Sequence, residues 1–298
     1  MIVWDAGYAV DLRATVGTLH RGSGDPAHRF ADGRFWRACL TPDGAGTLAV
    51  SAAGTHVTGH AWGPGAEWLL ARVPALLGAD DDWSALDVSA VPVLHETRRR
   101  RPGLRLVRTG LILDALVPAI LEQKVTGLEA RRSWRLMLHR FGAPAPGPAE
   151  GMRVPPAPQA LLDLPSWEWH RLGVDLARQR AIRAAASVAR RLEECVEMSC
   201  ADAARRLQHV PGVGVWTAAE TTQRAMGDPD AVSVGDYHLK NMVVHLLTGR
   251  ARGTDDEMLE LLGRWPGQRQ RVMRLIELTG IAAPRFGPKF NYTDIRAI

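Results

Sequence analysis

The sequence contains few of the residues on which metal-bound and disulfide-linked proteins depend. Its 298 residues include only three cysteines, Cys39, Cys195 and Cys200, and no two of them form a C-x-x-C pair. Thiolate sites for zinc or iron–sulfur clusters need several cysteines at close spacing, and small secreted domains need several disulfides. We therefore expect neither a cysteine-based metal site nor a disulfide framework.

Long apolar runs are also missing. The longest, residues 110–121, contains Asp114 and is shorter than the roughly 20 apolar residues that span a bilayer. Residues 1–13 lack the basic segment and long apolar run of a secretory signal peptide. We therefore expect a cytoplasmic protein with no membrane partner.

Lysine is scarce as well. Of 37 basic residues only Lys124, Lys240 and Lys289 are lysines, and the rest are arginines. The formal net charge of +5 favours a polyanionic partner, because neutralising phosphates releases condensed counterions. A genome whose base composition favours Ala, Gly and Arg explains the same charge about as well, so the charge agrees with nucleic-acid binding without establishing it.

The pattern of the sequence changes near residue 100. In residues 1–100, short segments with β-type composition alternate with turn residues, and one amphipathic helix follows. The predicted strands are 8–16, 34–40, 47–51 and 56–61, and the predicted helix is 68–77. In residues 101–298, apolar residues recur at helical spacing up to Leu278. We therefore predict an α+β fold, mainly α, in which a small N-terminal antiparallel sheet with a helix precedes a helical domain.

Capping signals and a proline-rich segment subdivide the helical part. Thr126 with Glu129, and Ser199 with Asp202, have the spacing at which a hydroxyl and an acid cap a helix N-terminus, so helices should start at about 127 and 200. Six prolines lie between residues 143 and 158. Since proline breaks a helix interior, we predict a surface loop there.

Residues 207–217 read Leu-Gln-His-Val-Pro-Gly-Val-Gly-Val-Trp-Thr and predict a helical hairpin. One helix ends near Val210, and another begins by Val215. Glycine permits positive φ and lets backbone N–H groups approach a phosphate directly. The predicted DNA contacts of the hairpin are Gly212, Val213, Gly214 and Thr217. Glycine-rich corners also occur in many all-α proteins, so the hairpin alone is weak evidence.

The residues after the hairpin make the pattern specific. A helix is followed by the turn 227–230 and by Asp236 just before another helix. This order resembles the helix-hairpin-helix, Gly/Pro-rich, aspartate (HhH-GPD) signature of base-excision DNA glycosylases. Segments 101–106, 119–126, 172–174 and 180–182 resemble the bacterial 3-methyladenine DNA glycosylase II (AlkA-type) branch in order and spacing. The resemblance implies a two-lobed helical body with a central cleft for double-stranded DNA that contains a damaged base.

By this resemblance Asp236 is the catalytic carboxylate. A fixed negative charge stabilises the oxocarbenium-like sugar that forms when a base departs. The competing interpretation is structural, because Ser233 and Asp236 also have capping-box spacing. Trp216 stands where lyase-competent members carry a Schiff-base lysine, and tryptophan cannot form that adduct. The resemblance therefore implies a monofunctional enzyme with water as the nucleophile.

The expected base pocket contains Trp216, Tyr237, Glu220 and Glu277. Trp216 fits a stacking role and a packing role about equally well. Glu220 and Glu277 replace aromatic residues of the family, which makes the expected pocket more acidic and puts simple 3-methyladenine removal in doubt. An acidic pocket would favour a cationic alkylated base.

The resemblance also implies a residue that inserts into the DNA as a wedge, a bound monovalent cation and a cellular location. Lys124 or Gln123 would insert into the DNA stack and hold the base out. A structural Na⁺ or K⁺ would bind the main-chain carbonyls of Gln208, Val210 and Val213, and no cofactor is required. We expect a monomeric, nucleoid-associated bacterial protein. An oxidised-base glycosylase and a non-catalytic DNA-binding module remain alternatives, and residues 283–298 have no assigned role.

Overall fold

The computed structural model describes residues 1–284 and has the predicted α+β, mainly α, fold. The tail 283–298 lies almost wholly outside the described residues. No helix within residues 1–284 has the length and apolar character needed to cross a bilayer. The strands and helices, in chain order, are β1 (Ile2–Asp5), α1 (Leu12–Val16), β2 (His28–Ala31), β3 (Arg34–Thr41), β4 (Gly44–Ala53), β5 (His56–Trp62), α2 (Ala66–Ala71), α3 (Val73–Leu76), α4 (Pro92–Arg100), α5 (Ile112–Leu121), α6 (Gly127–Phe141), β6 (Ala143–Pro144), β7 (Arg153–Val154), α7 (Pro158–Asp163), α8 (Ser166–Arg171), α9 (Leu176–Ser187), α10 (Ala189–Glu193), α11 (Cys200–Gln208), α12 (Val215–Ala225), α13 (Leu239–Thr248), α14 (Asp255–Leu262) and α15 (Arg269–Leu278).

The N-terminal sheet is antiparallel, with strand order β1-β5-β4-β3-β2, and both of its faces are covered. Phe35 pairs with Val50 in the β3–β4 register, and both pack under α2 and α3. On the other face Trp36 packs with Met152 and Val154 from the proline-rich segment. That segment is therefore not simply a surface loop, because the β6–β7 ladder holds part of it against the sheet.

Two predicted N-terminal elements are wrong in type or extent. The predicted strand 8–16 contains helix α1 instead, because the Asp11 side chain accepts the N–H of Ala14 and caps a helix. The first strand is β1, which pairs with β5. The predicted helix 68–77 is divided into α2 and α3 at Arg72, just before Pro74.

The helical body has two apolar cores, as expected of two lobes. One core joins α5, α6, α9, α11 and α12. The other joins α4, α13, α14 and α15 with residues 83–106. Both predicted helix starts are confirmed, by a complete capping box at Thr126 and by the Ser199 side chain accepting the N–H of Asp202. The domain boundary at residue 100 stays a prediction.

Ion pairs of two buried arginines join the N-terminal region to the helical body. Arg37 on β3 pairs with Asp114 on α5 at 2.7 Å, and the arginine side chain is 1% exposed. Arg21 pairs with Glu122 at the end of α5 at 2.8 Å. Removing one partner of such a pair leaves an uncompensated buried charge, so these contacts fix how the N-terminal region meets α5.

The cysteines should react slowly in the native protein. All three thiols are free, and burial raises the pKa of Cys39 to about 12 and that of Cys200 to about 11. Burial also raises the pKa of Cys195. Because the thiolate is the reactive form, we expect DTNB to modify the native protein at least about tenfold more slowly than the urea-unfolded protein. Rapid modification of any thiol under native conditions would contradict this.

Candidate active site

The predicted hairpin lies between α11 and α12. Gly212 has φ +87°, and a Cβ there would approach the Ala181 Cβ to 2.7 Å, so only glycine fits. Gly214 is exposed and does not have positive φ, so its main role is to begin α12 without a side-chain cap. The uncapped N–H groups at this exposed helix start are suited to contact a phosphate.

Other predicted hairpin contacts point inward. Val213 is 5% exposed and donates its N–H to the carbonyl of Val210, so it does not present this group to DNA. Thr217 is 2% exposed, so it also lies inside the hairpin and not on its surface. The sequence could not distinguish these inner positions from the outer ones, because all of them lie within one turn of the glycines.

Within the described residues, no side chain supports the cation site predicted on the hairpin carbonyls. The Val210 carbonyl already accepts the N–H of Val213. No cluster of three or more His, Cys, Asp or Glu residues within the described part of the chain has the arrangement to hold a metal ion. A site on the carbonyls of Gln208, Val210 and Val213 stays a prediction.

Gln123 supports the hairpin. Its amide donates to the Gly212 carbonyl at 2.9 Å and to the Thr217 hydroxyl at 2.8 Å. Because its amide already bonds to two residues of the hairpin, Gln123 is a poor candidate for insertion into DNA. The neighbouring Lys124 is exposed and has φ +53°, a conformation that is unusual outside glycine and concentrates at functional sites. Lys124 is therefore the better of the two predicted wedge residues.

Replacing Gln123 with alanine should loosen the hairpin. Loss of two hydrogen bonds, each contributing about 1 kcal/mol, should weaken binding to duplex DNA about tenfold. Fluorescence anisotropy with a labelled duplex measures the change. The matched control is Gln159→Ala, because the Gln159 side chain is bonded to Asp163 on α7, away from the hairpin. Equal affinity of the two variants would show that Gln123 does not support the DNA-binding geometry.

Asp236 lies between α12 and α13, and three donors hold its carboxylate. Oδ1 accepts the N–H of His238 at 2.8 Å and that of Leu239 at 2.9 Å. Oδ2 accepts the indole N–H of Trp216 at 3.3 Å. Oδ1 thus satisfies two backbone N–H groups at the start of α13, but the predicted capping box with Ser233 does not form, because the Ser233 hydroxyl donates to Glu220. A carboxylate fixed in this way can stabilise a cation without reorganising.

Asp236 lines a cavity of about 410 Å³, within the usual size range of small-molecule sites. The cavity lies between the N-terminal region and both helical lobes, and it also contains Glu220 and Glu277. Trp216 reaches Asp236 without lining the cavity. Tyr237 is 65% exposed and is not among the residues that line the cavity, so its role as a pocket wall stays a prediction.

The two glutamates of the cavity are paired with arginines, so the cavity is less acidic than the sequence predicted. Glu220 pairs with Arg224 at 2.7 Å and accepts the Ser233 hydroxyl at 2.5 Å. Glu277 pairs with Arg274. Within the described residues, no arginine or lysine forms an ion pair with Asp236. The carboxylate expected to act on the substrate is therefore the one without a cationic partner.

Several cavity residues were not found from the sequence, because no motif contains them. Burial lowers the pKa of His20, which keeps its imidazole uncharged at neutral pH. Gln270 is 5% exposed. The cavity-lining residues missed in this way include His20, Arg21, Gln223, Arg224, Gln270 and Arg274. Helical spacing offered a signal for two of them, since Arg224 follows Glu220 by four residues and Arg274 precedes Glu277 by three.

A sequence relative supports the resemblance over part of the chain. No protein-family model matches the chain. The chain is 29% identical over 216 residues to a Mycobacterium tuberculosis protein described as a probable bifunctional transcriptional activator/DNA repair enzyme AlkA. The match covers 70% of this chain and 43% of that protein, so the chain spans less than half the length of the curated relative.

Solved structures share the fold along nearly the whole chain. A 3-methyladenine DNA-glycosylase from Archaeoglobus fulgidus has a TM-score of 0.76 at 17% identity, covering 94% of this chain and 98% of that one. An 8-oxoguanine glycosylase/lyase from Clostridium acetobutylicum, solved with DNA, has a TM-score of 0.70 at 12% identity, covering 91% of each chain. Identities this low show the fold and leave the substrate open. The chain thus has the fold of these DNA glycosylases, and its hairpin and Asp236 resemble the helix-hairpin-helix (HhH-GPD) signature.

Proposed function

We propose that the protein is a base-excision DNA glycosylase that flips a damaged base out of duplex DNA and hydrolyses its N-glycosidic bond. The observation that carries the proposal is the Asp236 carboxylate, fixed by three donors at the wall of a cavity beside the hairpin. The sequence relative and the structural neighbours support it, since their names describe DNA repair enzymes and glycosylases.

In the proposed reaction the hairpin holds the phosphate backbone and the base enters the cavity. Flipping costs a few kcal/mol and costs least for damaged or mispaired bases, so selection begins before chemistry. The glycosidic electron pair leaves with the base nitrogen, and Asp236 stabilises the positive charge that develops on the sugar. The oxygen of a water molecule then bonds to C1′, and a water proton is released for the departing base to take up.

The absence of an amine at residue 216 defines the expected product. The Trp216 indole donates to Asp236 and has no nucleophilic nitrogen with which to attack the sugar. We therefore expect an abasic site in an intact strand. The proposed enzyme is monofunctional.

The test uses duplexes that each carry one lesion. We expect chromatography to detect a free base, and gels to show strand breaks only after alkali treatment. Borohydride should trap no covalent protein–DNA adduct. Salt-sensitive binding of every duplex without release of any base would instead identify a non-catalytic DNA-binding protein. Strand breaks without alkali, together with a trapped adduct, would reject the monofunctional mechanism alone.

A further inference from the structure

Asp236 lies in the segment 226–238, which crosses from the core that contains Met226 to the core that contains Val232. Its neighbour Gly235 is exposed, has φ +91° and has open space where a Cβ would lie. Glycine adopts many backbone conformations at little cost, so neither packing nor its own geometry holds this part of the segment. A contact from outside the segment can therefore decide where the Asp236 backbone lies.

Asp255, the first residue of α14, supplies such a contact. Its Oδ1 accepts the backbone N–H of Gly235 at 3.0 Å. Its Oδ2 accepts an N–H of the Lys240 ammonium, also at 3.0 Å. Lys240 lies on α13, four residues after Asp236. One carboxylate therefore holds the chain on both sides of Asp236, at the residue before it and about one helical turn after it.

Asp255 is itself firmly placed and charged. The start of α14 is fixed by a complete capping box between Thr254 and Glu257. Burial alone would raise the pKa of the Asp255 carboxyl, but the Gly235 N–H and the Lys240 ammonium outweigh burial and hold that pKa below its usual value. The group is therefore ionised at neutral pH, and an ionised acceptor forms stronger hydrogen bonds than a neutral one.

A second role for Asp255 must be separated from this one. Any acid in the first turn of a helix interacts favourably with the helix dipole, so Asp255 also stabilises α14. Asp256 shares that first turn but is exposed, and its side chain forms no hydrogen bond or ion pair within the described residues. A dipole effect alone predicts equal consequences from losing either acid, whereas contact with Gly235 and Lys240 predicts a consequence for Asp255 only.

We propose, on the basis of the glycosylase function above, that Asp255 is a positioning residue that sets where the Asp236 carboxylate lies relative to the sugar. Asp255 does not line the cavity, so it acts through Gly235 and Lys240 and not on the substrate. Misplacing a catalytic group by about 1 Å can slow a reaction about a hundredfold. Loss of the Asp255 contacts should therefore slow the chemistry, while the hairpin continues to bind DNA.

The experiment measures single-turnover base release by the full chain from duplexes that carry hypoxanthine, 8-oxoguanine or 7-methylguanine. On the duplex that the wild-type protein processes fastest, Asp255→Ala should release base at least about tenfold more slowly, while its affinity for that duplex changes less than about threefold. Asp255→Asn keeps an oxygen that can accept the Gly235 N–H, so it should be at least about threefold faster than Asp255→Ala. Asp256→Ala is the matched control and should behave as wild type.

Thermal melting and the comparison of rate with affinity separate positioning from misfolding, since a smaller folded fraction lowers apparent DNA binding as well as the rate. A wild-type rate of Asp255→Ala, or an equal loss in Asp256→Ala, overturns this inference and leaves the glycosylase function standing. An Asp255→Asn rate no faster than that of Asp255→Ala also overturns it. No release of base from any of the three duplexes by the wild-type protein overturns both.

Discussion

Asp236→Asn should release base about a hundredfold to a thousandfold more slowly than wild type, the usual effect of losing one electrostatic stabiliser of a transition state. Asparagine keeps an oxygen that can accept the N–H groups of His238 and Leu239, so the start of α13 should persist. Its amide NH₂ would face the Trp216 indole N–H in place of an acceptor. We therefore expect a small loss of stability and a large loss of chemistry.

Single-turnover kinetics with excess protein measure this effect without a contribution from product release. Duplex affinity, followed by anisotropy, should change less than about threefold, because the hairpin is untouched. Asp163→Asn on the exposed end of α7 is the matched control and should leave the rate unchanged. A wild-type rate for Asp236→Asn would remove Asp236 from the chemistry and leave only its hydrogen bonds to the start of α13.

The second prediction with a large expected effect concerns the stability that Asp25 gives to the fold. The carboxylate is fully buried and accepts the backbone N–H of Arg21 at 2.8 Å, that of Ala27 at 2.9 Å and the Trp134 indole N–H at 2.9 Å. It also pairs with His28 at 3.2 Å. Asp25→Ala leaves these partners unsatisfied inside the protein, so we expect the free energy of unfolding to fall by about 3–5 kcal/mol.

The same site predicts a pH dependence. Burial alone would raise the pKa of the Asp25 carboxyl, but His28 and the N–H donors outweigh burial and hold that pKa well below its usual value. A carboxyl with a lower pKa in the folded state stabilises the fold above its unfolded pKa of about 4, and this stability is lost as the pH falls further. The difference between wild type and Asp25→Ala should therefore shrink below about pH 4.

Urea unfolding at pH 7, 5 and 3.5 measures that difference. Asp163→Ala, which removes an exposed carboxylate, is the control and should cost less than about 0.5 kcal/mol. An Asp25→Ala effect below about 1 kcal/mol at pH 7, or one that stays constant down to pH 3.5, would contradict the role assigned to this carboxylate.

Features encoded within a few neighbouring residues were predictable from the sequence. The hairpin, the helix starts after Thr126 and Ser199 and the position of Asp236 before α13 each depend on local spacing. The strand predicted at 8–16 failed for a local reason too, since its short apolar alternation fits either element and the Asp11 cap favours the helix.

Contacts between distant segments were not predictable. Gln123 bonds to a carbonyl 89 residues away, and Trp134 bonds to a carboxylate 109 residues away. Nothing near Gln123 in the sequence distinguishes a hairpin support from a wedge. The charge of the pocket was misjudged for a related reason, because counting Glu220 and Glu277 without their arginine partners exaggerates the acidity.

Binding of a transition-state mimic tests the central claim most directly. A duplex with a cationic aza-sugar at the abasic position places a positive charge where the oxocarbenium ion would form, and a neutral tetrahydrofuran at the same position lacks it. The wild-type protein should bind the cationic duplex at least about a hundredfold more tightly than the neutral one, and Asp236→Asn should lose most of that preference. Equal affinity of the wild-type protein for both duplexes, or an undiminished preference in Asp236→Asn, would contradict the proposal that this carboxylate stabilises the sugar cation.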